Sequence, residues 1–191
     1  MSADTLQGGF ADAPREAARA FRACLDVMAR PGTIAEVSGA VPPAPLSIGA
    51  GVILLTLCDP DTPVYLAGRM DSPEIRQWIS FHVGAPITET RAEASFAFGT
   101  WEELLPLTNF PIGSAEYPDR STTLVVALDR LEPDMGARIS GPGIRDVARL
   151  PLPDTEAFQD NHLLYPQGLD FFFTAGTRIA ALPRSTKVEG V

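Results

Sequence analysis

Reactive side chains outside the carboxylates and arginines are scarce in this 191-residue chain: one lysine (Lys187), two histidines (His82, His162) and two cysteines (Cys24, Cys58). A zinc site needs converging thiolate or imidazole ligands, and no pair among these four stands at ligand spacing. A hydrolase elbow needs Gly-x-Ser-x-Gly, and Gly113-Ser114 lacks the preceding glycine frame. A Schiff base needs a desolvated lysine, whereas Lys187 lies in the polar stretch Ser-Thr-Lys-Val-Glu. Gly141-Pro142-Gly143 lacks the third glycine of a dinucleotide loop, and no Gly-Lys-Ser/Thr occurs. It reads instead as a tight turn whose glycines allow positive φ. No metal and no cofactor is expected, pyridoxal phosphate least of all.

Four rigid signatures stand against that poverty: Ala29-Arg30-Pro31-Gly32, Ser140-Gly141-Pro142-Gly143-Ile144, Tyr165-Pro166-Gln167-Gly168-Leu169-Asp170 and Ala181-Leu182-Pro183-Arg184. Arg30 and Arg184 each flank a proline that would fix the direction of a guanidinium. Such a planar fork suits a phosphate or a carboxylate, and an ion pair at a helix end or subunit contact is the competing use. The loop Asn109–Gly113 precedes the strongest strand signal, at a position expected to collect ligands in an α/β sheet.

The elements that must hold these groups alternate between helix and strand. Spacings of three and four at Ala17, Phe21, Cys24, Leu25 and Met28 predict a helix from Pro14 to Arg30, stopped by Pro31-Gly32. Residues up to about Asp12 are expected to form a mobile arm. Short strands are predicted over Thr33–Val37, Pro63–Leu66, Ser95–Phe98 and Ala137–Ser140. The run Gly51–Leu57 is either a strand buried on both faces or the end of a preceding helix. Ser72-Pro73-Glu74 opens a helix carrying Ile75, Trp78 and Ile79, and Thr100-Trp101-Glu102-Glu103 is a capping box. Thr122–Leu128 is the best strand. A helix over Asp154–Leu164 leads to a hairpin of Asp170–Thr174 and Arg178–Leu182, and residues 185–191 are expected to be a tail. The pattern predicts one mixed α/β domain over 1–191.

Composition bounds the partners. A formal charge of −9, with 45% hydrophobic and 20% charged residues, describes an acidic globular protein. Nucleic acid and anionic membrane are poor partners for it. No apolar stretch is long enough to span a bilayer, and because Met1-Ser2-Ala3-Asp4 has no basic region and no apolar run behind it, no signal peptide is expected. The two cysteines read as buried thiols of a reducing compartment, so the cytoplasm is the expected location.

Taken in order, the signatures resemble the H-subunit family (PhnH) of the bacterial carbon–phosphorus lyase system. The matching elements begin with Phe21-Arg22-x-x-Leu25-x-x-Met28-Ala29-Arg30-Pro31-Gly32. They continue through Leu54-Leu55-Thr56-Leu57-Cys58-Asp59 with Thr62-Pro63, then Gly141-Pro142-Gly143-Ile144. Asn161, Pro166-x-Gly168-x-Asp170 and Leu182-Pro183-Arg184-Ser185-Thr186 complete the set. Each is weak alone, and their order covers nearly the whole chain.

The resemblance implies a three-layer-like mixed-sheet fold similar to pyridoxal-phosphate-dependent transferases without the cofactor, and a homodimer. It implies a partnership with G, I and J subunits in alkylphosphonate catabolism. That complex forms ribose 1-alkylphosphonate 5-triphosphate from a purine nucleoside triphosphate and a phosphonate. A chain so poor in reactive groups fits a structural or substrate-positioning subunit. A free-standing transferase or binding protein for a phosphorylated small molecule is the alternative, and nucleotide or phosphonate a possible ligand under either. Ligand or interface candidates are Arg30, Asp59, Gly141, Gly143, Asn161, Asp170 and Arg184. The arginines would hold phosphate or a partner carboxylate, the aspartates would order turns, and the glycines would admit a neighbouring backbone. The Trp78 helix and the loop Asn109–Pro118 are candidate contact surfaces.

Overall fold

Side-chain caps start four of the five helices: Ser47, Ser72, Thr100 and Asp154 each accept a hydrogen bond from the backbone N–H three residues on. The computed structural model describes residues 7–189. Along them run α1 (Ala13–Ala29), β1 (Ala35–Glu36), α2 (Ile48–Leu57), β2 (Val64–Leu66), α3 (Pro73–His82) and β3 (Ile87–Thr88). They are followed by β4 (Phe96–Thr100), α4 (Trp101–Leu104), β5 (Thr123–Ala127), β6 (Ala137–Ser140) and β7 (Ala148–Leu150). Last come α5 (Thr155–Leu163), β8 (Asp170–Ala175), β9 (Arg178–Leu182) and β10 (Lys187–Val188).

A seven-stranded sheet of order β1-β9-β8-β5-β4-β2-β3 forms the centre, and a three-stranded sheet of order β10-β6-β7 flanks it. Strands β3, β2, β4, β5 and β8 are parallel, while β9 and β1 extend the sheet antiparallel. Parallel strands are covered on both faces, which is why Leu124-Val125-Val126 and Phe171-Phe172-Phe173 are unbroken apolar runs. Alternation sorts them. Val125, Phe172 and Ala181 pack with Cys24, Ile53, Ile75 and Trp78 beneath α1, α2 and α3. Leu124, Val126, Phe171 and Phe173 pack with Trp101, Leu104 and Phe158 on the opposite face. The Phe158 ring meets Phe171 edge-on at 4.8 Å between centroids, a favoured aromatic geometry. The architecture is thus a mixed α/β domain built on a mostly parallel sheet.

Of the two readings open for Gly51–Leu57, the helical one holds: the run is the greater part of α2, begun by the Ser47 cap. Other expectations are corrected. Of the tail expected over 185–191, residues 190–191 lie outside the described ones and 185–189 are packed: Thr186 and Val188 are buried, and Lys187–Val188 pairs with β6. Of the arm expected over 1–12, residues 1–6 lie outside the described ones. Gly8 accepts a hydrogen bond from Val41 N–H at 2.8 Å, and Phe10 packs on the core. Ile75, Trp78 and Ile79 are fully buried within the chain's own core, so any contact surface on this helix belongs to its other face, where Phe81 is exposed.

Candidate functional site

Register places the amino ends of four parallel strands in one line, with Val64 beside Phe96, Phe96 beside Thr123, and Thr123 beside Asp170. Asp170 therefore starts β8 at this edge, and Arg184 comes back to it just past the end of β9. The Arg184 guanidinium is almost fully engaged. Its Nε donates to Asp170 Oδ1 at 3.1 Å and its Nη1 to the Pro118 carbonyl at 2.6 Å. Nη2 donates to Ser121 Oγ and to Asp170 Oδ2. The Arg184 backbone N–H donates to the same Asp170 carboxylate at 2.9 Å. With side chains 12% and 24% exposed, this is a half-buried clamp whose charge is neutralised in place.

Asn161 supports the clamp from behind. Its Oδ1 accepts Leu169 N–H at 2.8 Å and its Nδ2 donates to the Leu169 carbonyl at 2.9 Å. The side chain imitates a neighbouring strand and fixes the residue before Asp170. Gly168 passes so close that an added Cβ would lie 3.1 Å from the Asn161 carbonyl oxygen. His162 contacts the Arg184 carbonyl through Nδ1 at 3.1 Å.

The Gly141-Pro142-Gly143 turn joins this group to Arg30. A Cβ on Gly141 would stand 3.2 Å from the Ser185 carbonyl oxygen, and one on Gly143 would overlap the Ala29 carbonyl. Arg30 caps α1 and pairs with Asp26 at 3.1 Å, both side chains being exposed. Six of the seven candidates are thereby linked through the turn and the clamp. Asp59 stands apart: it orders its own turn, accepting Asp61 N–H at 2.9 Å and the Thr62 hydroxyl at 2.6 Å. These hydrogen bonds, that of Thr62 first, hold its carboxyl below the usual value.

A groove of about 550 Å³ lies between the two groups at the amino ends of β4 and β5, lined among others by Thr62, Pro111, Arg120 and Ser121. The Arg120 guanidinium stacks on Tyr117 at 4.2 Å and makes no ion pair among the described residues. Ser121 has a cation beside its oxygen and no base in hydrogen-bond contact, so nothing there activates a nucleophile. The loop Asn109–Gly113 leads into this amino edge through Pro111, opposite to the carboxyl edge where α/β sheets gather ligands.

That carboxyl edge carries a feature sequence reasoning missed. Among the parallel strands the order is β3-β2-β4-β5-β8, so the chain reverses direction between β2 and β4, a topological switch point. The crevice there is closed by Glu103. Its carboxylate accepts Arg69 N–H at 3.1 Å and Thr100 N–H at 3.0 Å. Partial burial works against its ionisation, yet these bonds outweigh it and hold the carboxyl below its ordinary value. Gly68, with φ of +50°, is required because a Cβ would lie 2.1 Å from Glu103 Oε1. The capping box was visible in the sequence; its reach into the switch point was not.

Among the described residues no group of three His, Cys, Asp or Glu side chains could hold a metal ion, and no helix is long and apolar enough to cross a membrane. Lys187 is exposed.

Comparison with known proteins gives a consistent set of matches. The family model described as "Bacterial phosphonate metabolism protein (PhnH)" matches residues 8–189. The PhnH subunit of alpha-D-ribose 1-methylphosphonate 5-triphosphate synthase from Rhizobium meliloti (strain 1021) is 42% identical over 189 residues, covering 95% of this chain and 94% of that protein. HtxG of Stutzerimonas stutzeri, described as a candidate C-P lyase subunit, is 26% identical over 199 residues, with 95% of each chain covered.

Proposed function

Because the chain belongs to the PhnH family of bacterial phosphonate metabolism proteins, we propose that it is a subunit of a carbon–phosphorus lyase core complex in alkylphosphonate catabolism. The observation that carries this reading is the 42% identity, over 95% of the chain, to a named synthase subunit. In this role it joins G, I and J subunits and supports formation of ribose 1-alkylphosphonate 5-triphosphate from a purine nucleoside triphosphate and a phosphonate. It positions rather than catalyses. Arg184 and Asp170 neutralise each other, Ser121 lacks a base, and the glycines of the signatures admit close backbone packing.

The reading extends to one domain, a homodimer, a cytoplasmic location and a fold akin to pyridoxal-phosphate-dependent transferases. Two packed layers on a seven-stranded mixed sheet support that kinship. Arg30, Asp59, Gly141, Gly143, Asn161, Asp170 and Arg184 act in it as the frame of a contact or ligand surface.

Tagged co-purification of this chain, co-expressed with the G, I and J subunits of its host, tests the proposal. A stoichiometric complex is expected. Recovery of this chain alone, binding nucleotide or phosphonate, would overturn it in favour of a free-standing transferase or binding protein. The groove with its unpaired Arg120 is what favours that second reading.

A further inference from the structure

Helix α1 has two apolar faces, and only one is used by the core. Ala20, Cys24 and Val27 are buried beneath it. A second stripe, Pro14, Ala18, Phe21, Leu25 and Ala29, follows helical spacings of four, three, four and four, and every member is exposed. Phe21 is 52% and Leu25 56% exposed. One residue further along at each step runs a parallel charged stripe: Arg15, Arg19, Arg22, Asp26 and Arg30. Asp26 is neutralised by Arg30 at 3.1 Å, and Arg15 leans on Asp12 at 3.6 Å. Arg19 and Arg22 have no ion-pair partner among the described residues.

The placement is unusual in a chain whose formal charge is −9. An apolar ridge edged on one side by free guanidiniums matches a surface that is apolar at its centre and lined by carboxylates along one border. Arginine and aromatic residues are also those enriched where interfaces bind most strongly. A second copy meeting α1 antiparallel about a two-fold axis would set the arginine stripe against itself, and like charges that close are unfavourable.

We propose that this outer face of α1 docks a different protein subunit, one that presents an apolar strip bordered by Asp and Glu. The inference rests on the subunit reading and adds to it which surface is used and what chemistry the partner shows.

The test compares the wild type with Phe21→Ser/Leu25→Ser, Arg19→Glu/Arg22→Glu and Leu163→Ser, each co-expressed with the G, I and J subunits. Leu163, 79% exposed at the end of α5, is the control for loss of an exposed apolar side chain elsewhere. Thermal melting of each isolated variant shows that the fold is kept, as expected for exposed positions. Both α1 variants are expected to lose at least tenfold in complex recovery while the control matches the wild type. Wild-type recovery is expected to fall as salt is raised. If the wild type assembles and the α1 variants assemble equally well, this inference fails and the subunit reading stands. If the wild type assembles with nothing, both fail. If the α1 variants instead convert an isolated dimer to monomer, the occupant is a second copy and the inference is overturned.

Discussion

Gly143 and Ala29 are in backbone contact, with an ideal Cβ on Gly143 only 1.9 Å from the Ala29 carbonyl oxygen. Two signatures more than a hundred residues apart therefore share one van der Waals surface. The end of α1 is seated on the small sheet by this pair, with Gly32 alongside it 2.5 Å from Ala148 Cβ on the same measure.

Gly143→Ala should cost at least about 2 kcal/mol, from positive φ and a backbone clash together. Gly176→Ala separates the two causes. That residue has φ of +58° in the β8–β9 turn with nothing within 4 Å, so strain alone acts, about 1 kcal/mol. Urea denaturation of both variants with unchanged slopes is the measurement. Equal losses would mean that the contact contributes nothing.

The Arg184–Asp170 clamp should appear as coupling. Arg184→Ala and Asp170→Ala are each expected to cost about 2–4 kcal/mol, because each leaves a half-buried charge unpaired. A double-mutant cycle should return about 1–3 kcal/mol of interaction. Strict additivity in denaturant midpoints would show two independent surface groups.

Glu103 carries a pH dependence with a definite sign. Its folded value lies below the ordinary 4.5, so its ionised form stabilises the fold above that pH. The contribution fades as pH falls through the lower folded value. Glu103→Gln should therefore cost about 1 kcal/mol at neutral pH and progressively less as pH falls below the ordinary glutamate value. A gap in melting temperature that stays constant over that range would refute the assignment.

Burial pushes the Cys24 thiol up to about 12, and it pushes Cys58 higher still, with the neighbouring Asp59 adding to the effect. Both should resist a thiol reagent at pH 8 in the native protein. Labelling is expected to track unfolding as denaturant is added. Fast modification of either cysteine without denaturant would show that its segment opens locally.

Local chemistry made most elements legible. The best strand by composition is β5, the capping box opens α4, and Ala175-Gly176-Thr177 turns the hairpin, because each depends on residues within one turn or strand. What escaped depends on distant residues. Only pairing with β6 turns Lys187–Val188 into a strand, and only β2 beside β4 makes Glu103 a plug. The α2 segment is apolar all round, and burial on every side removes the periodicity that tells helix from strand. Arg184 was legible as a fixed guanidinium, but Ser121 and the Pro118 carbonyl were not legible as its targets, since nothing local ties them together.

The pairing of β1 with β9, Ala35 beside Ile179, has a kinetic meaning. Closing so long a loop must precede any reward from the contact, which places this edge among the last parts of the sheet to form. Until then, the β9 edge stays open to other chains, and α1, which also packs on β9, has no settled base. Refolding yield should therefore fall with protein concentration. In a cell, prompt capture by a partner would shelter the finished molecule but not the one still waiting for its edge.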